Sequence, residues 1–410
     1  MKKTKCVLCK SEKLFEFLDL GHHPHSDQFR DNDQEPEMHY PLKLVQCEDC
    51  ELVQLSYIVN REEMFTKDYL YESSITKTAL AHWEEFTDSV VAKTGVSSGL
   101  IVDIGGNDGT LLERFKNRGF DTLNVDPAYE VTPVAEARGI KTINSFWQKG
   151  LVKDADIILG TNVFAHIDDY DGFVEAVKDS LKPEGVFIFE SPYLGEFIKG
   201  LEYDTVYHQH VTYLSLKPIK IVLDKYDLEI FDIQFTPLHG GSFRCYIARK
   251  GQGIIQPIVL ESFEKENFTK EVLLDFGQRA LKHRQELMTC LWELKWHGKS
   301  IALVSSPAKG MTLMNYCGIN KGLVDFITEK SKLKVGRYTP GSQMKILPDE
   351  ELIKRQPDFA LILAWNFAEE IIKNNPEYKG MWIVPLPEIK FIKNHAWRWQ
   401  RCNQRLIGNT

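Results

Sequence analysis

Ile101-Val102-Asp103-Ile104-Gly105-Gly106-Asn107-Asp108-Gly109-Thr110 is the stretch on which the fold turns. A short apolar run feeds directly into a glycine-rich turn, and Leu111 to Arg118 continues with helical character. Glycines there let backbone approach a ligand closely, and the N-terminus of the following helix favours an electronegative partner. The next apolar run, Thr122 to Val125, ends in Asn124-Val125-Asp126-Pro127. An acidic residue at a second strand tip, about 20 residues beyond such a loop, is placed to accept hydrogen bonds from ribose hydroxyls.

Working outward, short apolar strands alternate with amphipathic helices, the pattern of a doubly wound parallel sheet and hence an α/β, Rossmann-like fold. Strands are expected at 100–104, 122–125, 155–160 and 185–190, with helices at 111–118, 132–138 and 172–181. Ile219 to Leu223 and Phe231 to Gln234 continue the unit, and Gly240 to Ala248 reads as its terminal strand. A polar, helix-favouring stretch from Pro257 to Trp296 reads as one long connecting helix. The alternation then restarts, with strands at 300–305, 324–328 and 359–363 and a helix across 312–317, which makes a second α/β unit. The organisation expected is a small unit over 1–66, a nucleotide-binding domain over 67–250 and a C-terminal α/β domain over 251–410.

The first of these is marked by cysteine spacing. Of eight cysteines, four form the pairs Cys6-Val7-Leu8-Cys9 and Cys47-Glu48-Asp49-Cys50. Each Cys-x-x-Cys turn can aim two thiolates at one point, and two such turns complete a tetrahedral zinc site. A redox dithiol would normally sit beside a βαβ pattern, and none surrounds these pairs. Four sulfur ligands leave no open position, so the zinc is expected to be structural. His22, His23 and His25 follow the first strand as loop residues. Cys245, Cys290, Cys317 and Cys402 are scattered and read as buried small apolar side chains.

Composition narrows the class of function. The chain has 410 residues, 43% hydrophobic and 26% charged, with a formal net charge of -8, which disfavours a nucleic-acid surface. No run approaches the roughly 18 apolar residues of a membrane span, and no apolar signal core follows the basic start, so a cytoplasmic location is expected. Nothing in the sequence sets the oligomeric state.

Both dinucleotides and S-adenosylmethionine use the geometry of the first loop. Gly-Gly-Asn-Asp-Gly departs from the Gly-x-Gly-x-x-Gly spacing suited to pyrophosphate. A third strand runs into Asn162-Val163-Phe164-Ala165-His166, where a methyltransferase lines its methyl-donor pocket. S-adenosylmethionine is therefore the expected cofactor, with Gly105, Asn107, Asp126, Pro127, Asn162 and Val163 around it.

At this point the chain resembles a known family, the deoxysugar C-methyltransferases that build branched sugars for antibiotics and bacterial surface polysaccharides. Three blocks carry the resemblance over nearly the whole chain. The paired cysteine turns flank Leu18-Asp19-Leu20-Gly21. The central block holds Asn162 to Asp168 and Tyr207-His208-Gln209-His210. The last holds Pro307-Ala308-Lys309-Gly310, Asn315-Tyr316-Cys317-Gly318, Pro340-Gly341 and Trp365-Asn366-Phe367. The resemblance implies a zinc-bearing N-terminal domain, a methyltransferase domain and a C-terminal α/β domain. It also implies methylation at C3 of a thymidine-diphosphate-linked 4-keto-6-deoxysugar held between the last two.

Such chemistry explains the residue types. A C–H bond is not a nucleophile, so a base must first remove the proton α to a ketone while donors meet the developing oxyanion. By similarity to the family motif, His210 is the base, and Tyr207 and His166 steady the enolate. Histidine suits the role because it is neutral near pH 7 and still accepts a proton. The family commonly has Glu where this chain has Gln209, which hydrogen-bonds but adds no charge to the site. Tyr69 and Tyr71 match another family word and are expected to reach the sugar, as is His208. Lys309 and the amides of its loop are expected to receive the diphosphate, with Asn366 at the same sheet edge. An O- or N-methyltransferase of a nucleotide sugar would need a base but no ketone, and a non-catalytic zinc-binding module would not need the cofactor loop.

Overall fold

A computed structural model describes residues 1–65, 77–237, 240–393 and 396–400. Tyr69, Tyr71 and Cys402 lie outside the described residues. Strands are numbered β1 (Leu14–His23), β2 (Tyr40–Cys47), β3 (Val53–Leu55), β4 (Leu100–Ile104), β5 (Asp121–Val125), β6 (Lys141–Ile143), β7 (Ala155–Thr161), β8 (Leu181–Pro192), β9 (Thr212–Tyr213), β10 (Leu228–Thr236), β11 (Ser242–Arg249), β12 (Ile301–Val304), β13 (Phe326–Glu329), β14 (Ile346–Pro348), β15 (Phe359–Ile362), β16 (Met381–Val384), β17 (Lys390–Lys393) and β18 (Ala396–Gln400). Helices are α1 (Arg61–Phe65), α2 (Lys77–Thr94), α3 (Thr110–Asn117), α4 (Thr132–Ala137), α5 (Tyr170–Ser180), α6 (Leu194–Lys199), α7 (Leu216–Lys225), α8 (Pro257–Lys265), α9 (Lys270–Trp296), α10 (Ala308–Cys317), α11 (Glu350–Arg355) and α12 (Ala368–Asn374). Among the described residues, no helix is long and apolar enough to cross a membrane.

Two compact units emerge, each assembled from three stretches of chain. The first comprises Met1–Phe15, Val45–Glu196 and Gln209–Phe268; the second comprises Glu16–Leu44, Phe197–His208 and Thr269–Thr410.

The first unit is built on a seven-stranded sheet in the order β10-β11-β8-β7-β4-β5-β6. Its strands β4 to β8 pair in parallel, and β11 enters antiparallel between β8 and β10. Buried on both faces, β7 reads as a nearly continuous apolar run rather than an alternation. One face of the core is filled by Trp83 and Phe86 of α2, Leu111, Leu112 and Phe115 of α3, and Ile101, Ile157 and Ile188 of the strands. The chain leaves β4 outward through β5 and β6, then returns to lay β7 on the other side of β4. That reversal opens a crevice beyond the C-terminal ends of β4 and β7, where open α/β sheets bind ligands.

The second unit repeats the plan. Its sheet runs β14-β13-β12-β15-β16-β17-β18, parallel through β16 and closed by antiparallel β17 and β18. Its reversal falls between β12 and β15.

One expectation needs correction: the stretch from Pro257 to Trp296 is two helices, interrupted at residues 266–269. Glu266 leaves helical geometry so that its carboxylate can accept the Leu216 and Lys217 amides, at 2.7 and 3.2 Å, and cap the start of α7. Beside it, Phe268 is buried and its carbonyl accepts from Gln46.

Candidate functional site

The two cysteine turns have the same backbone design. In each, the residue after the second cysteine takes a left-handed conformation, Lys10 at φ 65° and Glu51 at φ 63°. Its amide donates to the carbonyl of the first cysteine, Lys10 to Cys6 and Glu51 to Cys47. The first cysteine's amide closes the turn onto the residue five further on, Cys6 to Ser11 and Cys47 to Leu52. Buried Gln54 adds a tie by accepting the Val7 amide at 2.8 Å. These two knuckles bring all four sulfurs within 4.8 Å of one another, with Cys6 to Cys50 at 3.5 Å and Cys9 to Cys47 at 3.4 Å. A tetrahedron of bonds about 2.3 Å long puts sulfurs about 3.8 Å apart, so this set fits zinc. The hydrogen bond with Cys50 draws the Cys6 thiol down to about 5 and raises that of Cys50.

In the first unit's crevice, the Gly105–Gly109 turn is drawn tight by three left-handed residues, Gly105, Asn107 and Gly109, the last at the N-cap of α3. Gly106 has no room for a side chain, since a Cβ there would stand 2.6 Å from Asn124 Oδ1 and 2.9 Å from Asp103 Oδ2. Asn124 stitches the loop from below, accepting the Gly106 amide at 3.1 Å and donating to the Asn107 carbonyl at 3.2 Å. Asp126, buried at the tip of β5, accepts the Asn107 and Ala128 amides at 2.9 and 2.8 Å. Each carboxylate oxygen keeps one further lone pair, enough for two ribose hydroxyls. Pro127 follows, half-buried.

Asp103 is a residue that the sequence reading gave no role. Its carboxyl is fully buried beside the glycine loop, and its Oδ1 has no hydrogen-bond partner among the described residues. Burial, then the nearby Asp126 charge, pushes it up to about 8, so it carries a proton at neutral pH. An acidic residue inside the apolar run 101–104 was the available signal.

On the other side of the crevice, Asn162 is left-handed at φ 56° and its amide donates to the Glu190 carbonyl at 2.7 Å. Val163 lies over the loop, its Cγ2 2.6 Å from where a Cβ on Gly105 would be. The turn Phe164–His166 is then pinned by Tyr170, whose hydroxyl donates to the Phe164 carbonyl at 2.8 Å and shares a 2.6 Å hydrogen bond with Thr212. The single Thr212 hydroxyl proton is shared between Tyr170 and the Ala165 carbonyl, 3.3 Å away. Because Thr212 is two residues beyond His210, this stitch brings the two histidines together: their rings stack at 5.3 Å with planes 25° apart. Phe65 of α1 also stacks on His166, at 5.4 Å. Burial lowers His166 to about 4 and keeps it neutral at pH 7.

The boundary between the two compact units falls inside the Tyr-His-Gln-His motif. Gln209, with a buried side chain, and His210 belong to the first unit; Tyr207 and His208 belong to the second. There His208 is fully buried, its ring 5.4 Å from that of His25 and 5.8 Å from that of Tyr40. Burial and the neighbouring His25 lower it to about 3. Lys309 opens α10 just past β12, and Asn366 sits in the turn Trp365–Phe367 just past β15. In the loop before α10, Ser306 N–H and Oγ–H both donate to Glu329 at 2.7 Å.

Comparison with known proteins adds the family. Residues 6–65 match a zinc binding domain, residues 80–233 a methyltransferase domain, and residues 237–387 the C-methyltransferase C-terminal domain. C-methyltransferase NovU of Streptomyces niveus is 29% identical over 95% of this chain and 96% of its own. These domains, in this order, make the chain similar to S-adenosylmethionine-dependent C-methyltransferases. Among solved structures, an S-adenosylmethionine-dependent methyltransferase from Clostridium acetobutylicum is 16% identical, covers 42% of the C-methyltransferase and 92% of itself, and has a TM-score of 0.36. Magnesium protoporphyrin IX methyltransferase from Synechocystis is 14% identical, covers 44% and 90%, and has a TM-score of 0.36. The four clustered cysteines lie in the matched zinc binding domain, and the glycine loop and Asp126 lie in the matched methyltransferase domain.

Proposed function

We propose that this C-methyltransferase acts at C3 of a nucleotide-diphosphate-linked 4-keto-6-deoxysugar, with His210 as the base. The observation that carries the reading is the stacked His166–His210 pair, pinned by Tyr170 and Thr212 within the unit that holds the cofactor loop. The resemblance in sequence to deoxysugar C-methyltransferases supplies the substrate class, and NovU is itself a C-methyltransferase.

His210 takes the proton from C3, leaving the electron pair delocalised onto the neighbouring carbonyl oxygen as an enolate. His166 is neutral and therefore retains one N–H, which donates to that oxygen without needing to be charged. Tyr207 is assigned a second donor role toward the oxyanion. Gln209 supports the base by hydrogen bonding alone, so His210 works without the adjacent carboxylate common in the family. Bound S-adenosylmethionine supplies the electrophilic methyl group. His208, enclosed by His25 and Tyr40, is assigned to shaping the sugar side of the pocket rather than to proton transfer.

The test is solvent exchange. Incubated with the 4-keto sugar nucleotide in deuterated water, the wild type should wash out the C3 proton, and His210→Asn should not. His210→Asn should also lose methylation while keeping its affinity for S-adenosylhomocysteine within a few-fold. Exchange at the wild-type rate in His210→Asn would assign the base elsewhere.

A further inference from the structure

We propose that Phe65 is a positioning residue for the reaction: its ring, with that of His210, fixes the plane in which His166 offers its N–H. This deepens the reading of His166 given above and rests on it.

Local sequence builds the element that carries Phe65. Asn60 starts α1 by accepting the Glu62 amide on its side chain and the Glu63 amide on its carbonyl, both at 3.1 Å. Glu62 and Glu63 place negative charge in the first turn, where the helix dipole favours it. Five residues are too few for a helix to persist alone, so α1 depends on what its side chains touch. Met64 is buried. The Arg61 guanidinium lies 4.5 Å from the centre of the Phe146 ring, and Phe65 stacks on His166 with planes 16° apart. Phe146 follows β6 and His166 follows β7, with β4 and β5 between those strands in the sheet. At about 4.8 Å per strand, β6 and β7 are about 14 Å apart. The two contacts of α1 thus bracket the sheet edge from which the glycine loop and Asp126 project.

His166 needs such a support because nothing else aims it. A functional histidine is usually oriented by a hydrogen bond to its second ring nitrogen. The ring nitrogens of His166 make no hydrogen bond among the described residues. Its plane is set instead by two ring contacts, Phe65 at 5.4 Å and His210 at 5.3 Å, both within the range of offset stacking. The residue is half-buried, so rings cover it while part of it stays accessible to a ligand. Charges do not take over the task. Asp168 pairs with Lys3, Glu190 is held by Arg244 and His82, and burial alone lowers His166 to about 4. Phe65 supplies part of that cover, and with it the neutral state in which His166 keeps a single N–H.

Steady-state kinetics and histidine NMR on the full-length zinc-loaded protein test the assignment. With thymidine diphosphate 4-keto-6-deoxyglucose, Phe65→Ala should lower kcat about 10- to 100-fold and leave KM within about 3-fold, the split expected of a misaimed donor. Phe65→Tyr keeps the ring and should recover kcat to within about 3-fold of wild type. Phe65→Leu keeps bulk without the ring and should remain about 3- to 10-fold below it. In histidine-labelled protein without substrate, His166 of Phe65→Ala should titrate closer to 6.5 than in the wild type, a shift that lost packing elsewhere would not produce. Should Phe65→Ala fail to fold, Arg61→Ala frees one end of α1 and should shift kcat and the His166 titration in the same directions by less. An unmoved titration or a wild-type kcat in folded Phe65→Ala overturns the assignment, as does Phe65→Tyr no better than Phe65→Leu. Absence of C3 exchange and methylation in the wild type overturns the nucleotide-sugar reading instead, and the substrate-free titration still decides whether Phe65 governs His166.

Discussion

Gly106→Ala tests the cofactor loop at its tightest point. The backbone there is not left-handed, so alanine brings no intrinsic strain, and the cost comes from the side chains it meets. The new methyl group would lie 2.6 Å from Asn124 Oδ1 and 2.9 Å from Asp103 Oδ2, distances at which something must move. Both side chains are buried, and Asn124, the nearer of the two, is the one displaced first. Its displacement would break the hydrogen bond from the Gly106 amide and the one to the Asn107 carbonyl. At about 1 kcal/mol each, the loop loses about 2 kcal/mol of preorganisation, or about 30-fold in affinity. Titration with S-adenosylhomocysteine at 25 °C should show that loss. The double variant Gly106→Ala/Asn124→Ala should bind no worse than Asn124→Ala alone, because the obstacle and the stitch are the same residue. Wild-type affinity in Gly106→Ala would show that the loop does not depend on this stitch, and the reasoning would fail.

Further outcomes follow from other sites. Cys47→Ser, or zinc removal by a strong chelator, should lower the melting temperature, measured calorimetrically with zinc content by atomic absorption, while the tetrahedral set loses its metal. An unchanged melting temperature at reduced zinc would remove the structural role. Buried His208 and His23 are depressed from 6.5 to about 3 and about 4, so the unfolded chain binds protons before the folded one does. Their contribution is intact above pH 6.5 and is lost as pH falls toward 4, costing about 2 kcal/mol each by pH 5. His208→Gln should remove about 2 kcal/mol of the stability change between pH 7 and 5, and an unchanged slope would exclude it as a source. Arg244 is fully buried between Glu190 and Glu85, both at 2.9 Å, with His82 completing the set at 2.7 Å from Glu190. Arg244→Met should cost about 3–5 kcal/mol in denaturant unfolding by stranding the Glu190 carboxylate. Adding Glu190→Gln should restore part of it, and a double variant no better than Arg244→Met would contradict that account. Gly277→Ala places a methyl group 2.2 Å from the Phe17 carbonyl oxygen, a backbone atom, and should destabilise by about 1–3 kcal/mol in the same assay.

What the sequence disclosed was what short spacing determines. The glycine loop, the acid at the tip of the second strand and the two cysteine knuckles each lie within one continuous segment. Their local geometry follows from residue type. The helix break at residues 266–269 was hidden because its cause is distant: Glu266 serves amides at residues 216 and 217. Phe65 was overlooked for the same reason, since its importance comes from His166, far along the chain. His208 and His210 are two residues apart and look equivalent in sequence. Packing separates them, one enclosed by His25 and Tyr40 and the other stacked on His166. Glu329 copies Asp126 in position, at the tip of a second strand, yet its oxygens already accept Ser306 N–H and Oγ–H and the Lys330 and Ser331 amides. That saturation leaves it no capacity for a ribose, a distinction that no pattern of residues announces.

The threading of each compact unit from three separate stretches bears on how the chain is made. As the polypeptide leaves the ribosome, the first unit stays incomplete until the stretch ending at Phe268 has emerged. Residues 16–44 must wait longer still, for their companions begin at Phe197 and resume at Thr269. β1 can pair with β2 early, but its Phe17 lacks the α9 partner Phe276 for much of synthesis, a state open to aggregation and to chaperones. For the same reason no single scission yields two self-sufficient halves, and a fragment ending near residue 250 would lack α8, which belongs to the unit that carries the glycine loop.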